Sequence, residues 1–217
     1  MFNSFSEKIA AAVLVAIVFA LVLLQCLPLA NGIGLLGVAG LACFFRKEEL
    51  SRWLYAGLWL LLVLLAFWVA TYKPAGFSYP FIFDLPGESV SIPRYEFFAN
   101  LGKGICGFLL LYFLWPKSRD NEFVAASKYQ FLVALLAPAV VIAVAIPALG
   151  LHLQPKVVEQ VLLFALGNLL IISVAEEAFM RLLLQQPLRN AIAAFSSNRW
   201  VQELVPLLAV TAIFVAI

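Results

Sequence analysis

Seven apolar runs succeed one another along this chain, and they limit its fold more than any other feature: Ile9 to Ala30, Gly32 to Phe45, Trp53 to Thr71, Phe97 to Trp115, Phe131 to Leu151, Val157 to Leu184 and Leu204 to Ile217. A hydrocarbon core about 30 Å thick is crossed by about 20 residues of helix, the one open-ended element that satisfies its own backbone in lipid. Most of the runs approach that length. The second has only 14 residues, which suits a tilted span or a re-entrant hairpin with the first, turned at Asn31-Gly32. The expected fold is therefore all-α, a polytopic transmembrane bundle of about seven membrane segments.

Composition agrees with that reading. Of the 217 residues, 65% are hydrophobic and 12% charged, whereas a soluble domain carries about a quarter of its residues as charges. The basic residues divide unevenly between the two sides of the runs. One side collects Lys8, Arg46, Lys47, Arg52, Lys117, Arg119, Lys128, Arg181, Arg189 and Arg199, and the other Lys73, Arg94, Lys103 and Lys156. The positive-inside rule then makes the N-terminus cytoplasmic in a multi-pass protein of the cell membrane. The first run is read as an uncleaved span, because its basic flank is Lys8 alone and Pro28 stands where a signal cleavage site wants a small residue.

Several function classes drop out. No basic cluster points to nucleic acid, and no strand-loop-helix glycine fingerprint points to a nucleotide. Cys26, Cys43 and Cys106 lie singly in apolar runs, and His152 stands alone in Gly150-Leu-His-Leu-Gln-Pro155, so neither type has metal-site or redox spacing. The cysteines read as packing residues and His152 as an interfacial one. Residues 72–96 form the longest polar connection, with Pro74, Pro80, Pro86 and Pro93, and are expected to lie on the outer membrane surface without a catalytic role.

Chemistry concentrates in Ser173-Val-Ala-Glu-Glu-Ala-Phe-Met-Arg181. Charges inside an apolar run cost roughly 2.5 to 3.5 kcal/mol each on insertion scales, so they mark function and call for partners. On a helix Glu177 and Arg181, four apart, share a face, while Glu176 is turned by roughly 100°. Glu177 is then the ion-paired carboxylate and Glu176 the desolvated candidate base, with Ser173 placed to orient it. The polar stop at Gln185-Gln186-Pro187 puts these residues a turn or two from the cytoplasmic end of their segment. The bland alternative, three charges resting in the interface, stands equally at this point.

Glu176-Glu177-Ala178-Phe179-Met180-Arg181 resembles the E-E-x-x-x-R motif of the CPBP family, the CAAX prenyl protease and bacteriocin-processing (Abi) intramembrane endopeptidases. The resemblance covers the chain from Val157 onward. It implies an intramembrane peptidase in which Glu176 activates water, Glu177 and Arg181 support it, and no metal or cofactor takes part. It implies a membrane-associated protein or peptide as substrate, the lipid bilayer as surroundings, and residues 1–130 as a transmembrane extension before a protease-like core that begins at 131. The family's second motif, F-x-x-x-H, has its aromatic matched by Phe214 in Phe214-Val-Ala-Ile217. The histidines of the family's second and third motifs are not among these residues, so the expectation is an incomplete core, inactive by itself. The rival reading is a non-catalytic multi-pass membrane protein: a transporter component, an immunity protein or an assembly scaffold. A third is a degenerate family member that binds a partner without cutting it.

Overall fold

The computed structural model describes residues 5–45, 50–85, 95–115, 128–150 and 158–216. The fold is all-α, with one two-stranded ribbon. Two compact units divide the chain, one of residues 1–115 with 163–217 and the other of residues 116–162. The smaller unit holds α5 (Lys128–Leu149), which carries Pro138 and Pro147 in its interior. His152 lies outside the described residues.

In the larger unit α1 (Phe5–Leu23) ends well before Ala30, where the sequence reading put it. Gln25 adopts a left-handed φ of 56°. Its N–H bonds the Val22 carbonyl at 3.0 Å and that of Cys26 the Leu21 carbonyl at 2.9 Å, the paired bonds of a Schellman turn. Uninterrupted hydrophobicity hid this turn, since the left-handed residue is not glycine. The chain restarts at Pro28, which precedes α2 (Leu29–Phe44), so Asn31 and Gly32 sit in the first turn of α2 and not in the turn between helices.

Asn31 is fully buried. Its amide donates to the carbonyls of Val69 at 2.9 Å and Tyr72 at 3.1 Å, two of the groups that the end of α3 (Arg52–Thr71) leaves without helical partners. Asn100 works the same helix end from another side. Its amide donates to the Ala70 carbonyl at 2.8 Å while its Oδ1 accepts from the Lys103 N–H at 3.0 Å, capping α4 (Leu101–Leu114). Two asparagines thus fasten α2, α3 and α4 at one level.

Between α3 and α4 the polar connection folds into strands β1 (Phe81–Leu85) and β2 (Tyr95–Phe98), paired antiparallel. The apolar run expected from Phe97 is therefore strand first and helix only from Leu101. A bulge between Phe81 and Phe83 breaks the alternation. It leaves Phe81 and Phe98 exposed together, while Phe83 and Phe97 stack at 5.1 Å and are buried. Gly167 admits those rings, because a Cβ there would lie 3.0 Å from Phe97.

The sixth helix, α6 (residues 158–193), runs through the expected stop at Gln185-Gln186-Pro187. It alternates α-helical stretches with two π segments, Asn168–Ser173 and Ala178–Gln185. Pro187 has no N–H to offer the Leu183 carbonyl four residues back. The indole of Trp59 supplies a donor instead, at 2.7 Å, so a tertiary hydrogen bond lets the helix continue. The last helix, α7 (Arg199–Ala216), folds back on α6, with an Arg189–Glu203 ion pair at 2.7 Å between them. The core joins Leu35, Val38 and Ala42 of α2, Leu62, Ala66 and Val69 of α3, Cys106 and Leu110 of α4, and Ala178 and Leu183 of α6.

Arg52–Thr71 and Val161–Ala193 are long and apolar enough to cross a membrane. Only 17% and 11% of their apolar windows are buried inside the molecule, so neither is a core helix of the soluble kind.

Candidate functional site

Glycines bring α4 against α6. A Cβ on Gly104 would sit 3.6 Å from Ile171, and one on Gly107 would fall 2.8 Å from the Ala175 Cβ and 2.9 Å from its backbone nitrogen. Only a residue without a side chain fits at Gly107, so the two backbones pass nearly in contact. That close approach fixes the height at which Lys103, one turn before Gly107, meets Glu176, the residue after Ala175.

Lys103 Nζ lies 2.7 Å from Glu176 Oε1, a charge-assisted hydrogen bond with side chains 28% and 36% exposed. The expected asymmetry between the glutamates is thereby corrected, because Glu176 is ion-paired too, to a lysine 73 positions earlier in the chain. Among the described residues its hydrogen bond goes to Lys103 and not to Ser173. Glu177 pairs with Arg181 across one helical turn, as their spacing requires. These two side chains stay 57% and 69% exposed, away from the cavity that Glu176 faces.

The cavity measures about 300 Å³. Ala66, Phe67, Ala70 and Thr71 of α3 form one wall, Lys103, Cys106, Gly107 and Leu110 of α4 a second, and Ala175, Glu176, Phe179 and Met180 of α6 a third, with Phe214 of α7 closing the remainder. Each wall repeats at the four-residue spacing that brings side chains onto one helical face. Thr71 Oγ1 donates back to the Phe67 carbonyl at 2.8 Å, which leaves the Lys103–Glu176 pair as the charged feature of an otherwise apolar chamber.

Glu176 stands at the middle of α6, about 26 Å from its C-terminal end at 1.5 Å per residue, because the helix continues past Gln185-Gln186-Pro187 to residue 193. The α-helical turn Val174–Glu177 that carries it is bracketed by the two π segments. Such wide turns are rare and recur at functional sites. Their five-residue spacing shows in the burial, since Ala178 and Leu183 both face the core.

No family model, curated protein or solved structure matches the chain.

Of the residues singled out in the sequence, Glu176 and Phe214 therefore share the cavity, and Glu177 with Arg181 form a separate pair. Lys103 is the residue that sequence reasoning missed. Its signal was present in Asn100-Leu-Gly-Lys-Gly-Ile-Cys-Gly107: a cation at the start of an apolar helix, among glycines placed for close packing.

Proposed function

We propose that this is a multi-pass integral protein of the cell membrane, N-terminus cytoplasmic with about seven spans, and that it carries the catalytic glutamate of a CPBP-type intramembrane endopeptidase. The membrane reading is supported by the two long apolar helices and by their lipid-compatible exposure. It is supported as well by Trp53 and Tyr55 at one end of α3 and Trp68 and Tyr72 at the other, spaced as interfacial aromatics are.

One observation carries the enzymatic reading: the Glu176 carboxylate opens into an apolar cavity at mid-helix, which it shares with Phe214, the residue matching the aromatic of the family's F-x-x-x-H motif. A carboxylate in the wall of such a cavity can accept a proton from water once its bond to Lys103 is given up, and the apolar walls around it favour electrostatic interactions there. Glu177 and Arg181 would hold the helix face behind it. The substrate is a membrane-associated protein or peptide, and the chemistry calls for no cofactor and no nucleic acid.

A second reading draws on the 2.7 Å Lys103–Glu176 bond itself. Two opposite charges in the wall of an apolar cavity can be present merely to neutralise one another, in a transporter component, an immunity protein or a scaffold. The test is hydrolysis of a quenched peptide of Ala, Leu and Phe by the full-length protein in phospholipid vesicles. The enzymatic reading expects cleavage by the wild type and a loss of at least about 10²-fold in Glu176→Gln, the scale of general-base contributions. Absence of cleavage by the wild type would leave the non-catalytic reading standing, and equal cleavage by the variant would refute Glu176 as the base.

A further inference from the structure

We propose that the end of the molecule carrying Arg52, Trp53, Phe195, Arg199 and Trp200 binds the headgroups of anionic phospholipids in the cytoplasmic leaflet. The inference rests on the membrane reading above and its orientation, and is independent of the peptidase reading. Arg-Trp occurs twice in the chain, and each copy opens a helix, α3 and α7. A capping side chain stands before each. Ser51 Oγ accepts from the Leu54 N–H at 3.3 Å, and Asn198 Oδ1 from the Trp200 N–H at 2.9 Å. The caps serve the backbone, and the guanidinium groups of Arg52 and Arg199 have no carboxylate partner among the described residues.

Three aromatic rings project at this end: Trp53 is 90% exposed, Trp200 75% and Phe195 92%. The turn that presents the last two is fixed from within. Ser196 Oγ accepts from the Asn198 N–H at 3.3 Å, Gln202 Nε2 donates to the Ser196 carbonyl at 2.7 Å, and Arg189 with Glu203 ties α6 to α7. Both Arg-Trp corners lie near one level. Glu176 shares the cavity with Ala66 and Ala70 while Leu183 meets Trp59, so α6 runs antiparallel to α3. Arg52 lies about 10 Å from Trp59 along α3. In the same direction Arg189 lies about 9 Å beyond Leu183, and Arg199 about 6 Å beyond Glu203, the partner of Arg189. The remaining difference of about 5 Å fits within one headgroup layer, about 5–8 Å deep.

Phospholipid is the occupant whose chemistry fits. A guanidinium presents a planar fork of N–H donors that matches a phosphate, and an indole settles where headgroups meet acyl chains. The cytoplasmic leaflet is the anionic one, and this is the end that collects the basic residues Arg52, Arg189 and Arg199. The surface also continues the faces of α3 and α6 that are open to lipid, of which 17% and 11% are buried inside the molecule. A protein partner is met by anchors clustered in one pocket. Here each indole stands beside its own arginine on a separate helix, which suits separate lipid molecules.

The test measures binding of phosphatidylglycerol and of phosphatidylcholine with the same acyl chains to the full-length protein in non-ionic detergent, by native mass spectrometry. The wild type is expected to prefer phosphatidylglycerol by about 25-fold, about fivefold for each arginine, the equivalent of about 1 kcal/mol apiece. Arg52→Gln with Arg199→Gln should bring the preference to within about threefold of none. Arg52→Lys with Arg199→Lys keeps the charges and should stay within about threefold of wild type. Should the double Gln variant not fold, each single Gln variant is expected to lose about fivefold. A preference unchanged by the Gln substitutions overturns the proposal. So does a Trp53→Ala with Trp200→Ala protein that binds both lipids as the wild type does but falls from dimer to monomer, which gives this face to a second copy of the chain. Alkaline carbonate separates the two readings. Protein that it strips from phospholipid vesicles overturns the membrane reading as well, whereas carbonate-resistant protein without the lipid preference overturns this proposal alone.

Discussion

Gly107→Ala is the sharpest probe of how this site is held. The added methyl would stand 2.8 Å from the Ala175 Cβ and 2.9 Å from its backbone nitrogen, where carbon atoms rest at about 3.5 Å or more. The Ala175 Cα lies closer still to that methyl, and backbone atoms cannot swing aside as a side-chain tip can, so α4 and α6 must part by more than about 1 Å. The same displacement carries Lys103 and Glu176 from 2.7 Å to about 3.7 Å or more, beyond the ordinary range of an N–H···O bond. Overpacking of this kind costs about 1–3 kcal/mol, or about 4–8 °C in melting temperature for 2 kcal/mol in a chain of this size. Misplacement of about 1 Å at reacting groups costs up to about 10²-fold in rate, so under the proposed peptidase reading of Glu176 cleavage should fall on that scale. The assay is thermal unfolding of the full-length protein in detergent beside peptide cleavage in vesicles. Gly40→Ala and Gly57→Ala are the controls, since nothing lies within 4 Å of a Cβ at either. They should be neutral or stabilised by up to about 1 kcal/mol through helix propensity. Were Gly107→Ala to melt and cleave like these two, the close-approach argument would be wrong.

Other expectations follow from single hydrogen bonds. Trp59→Phe removes the donor to the Leu183 carbonyl and should destabilise by about 1–3 kcal/mol, the cost of an orphaned buried acceptor. Pro187→Ala should recover much of that loss in the double variant by restoring a helical N–H, and additive effects in the thermal cycle would show the two residues to be uncoupled. Asn31→Ala leaves the Val69 and Tyr72 carbonyls without its amide and should also cost about 1–3 kcal/mol by the same measure, read as a lowered melting temperature in detergent. Gln25→Gly should stabilise by about 1 kcal/mol, because a left-handed residue without a Cβ is relieved of strain; an unchanged melting temperature would count against strain at that turn.

What could be read in the sequence was what local pattern determines. The bounds of α3 and the end of α2 follow hydrophobicity closely, and Arg181 pairs with Glu177 because four residues make one helical turn. Three features escaped because they depend on partners far along the chain. Pro187 reads as a helix stop until Trp59 is known to supply its missing donor. Glu176 reads as the unpaired carboxylate until α4 is known to bring Lys103 beside it. Phe97 reads as the start of a helix until β1 is known to pair with it. The ribbon did leave a trace in the alternation of Tyr79, Phe81 and Phe83, but the bulge beside Phe81 inverts part of that alternation, and four prolines made the stretch look like plain loop.

The π segments give α6 an unusual tolerance to length change. Where a turn already holds one residue more than an α-helix needs, deleting a residue from Asn168–Ser173 can be absorbed by tightening that turn. Gly167 then stays beneath the aromatic ribbon and Glu176 stays opposite Lys103. The wholly α-helical α3 has no such slack. A one-residue deletion at its centre would rotate everything beyond it by about 100°, swing Ala66, Ala70 and Val69 away from α4, and detach the helix end that Asn31 and Asn100 hold. Scanning single deletions along both helices should therefore find a permissive window just ahead of the glutamates and none in α3.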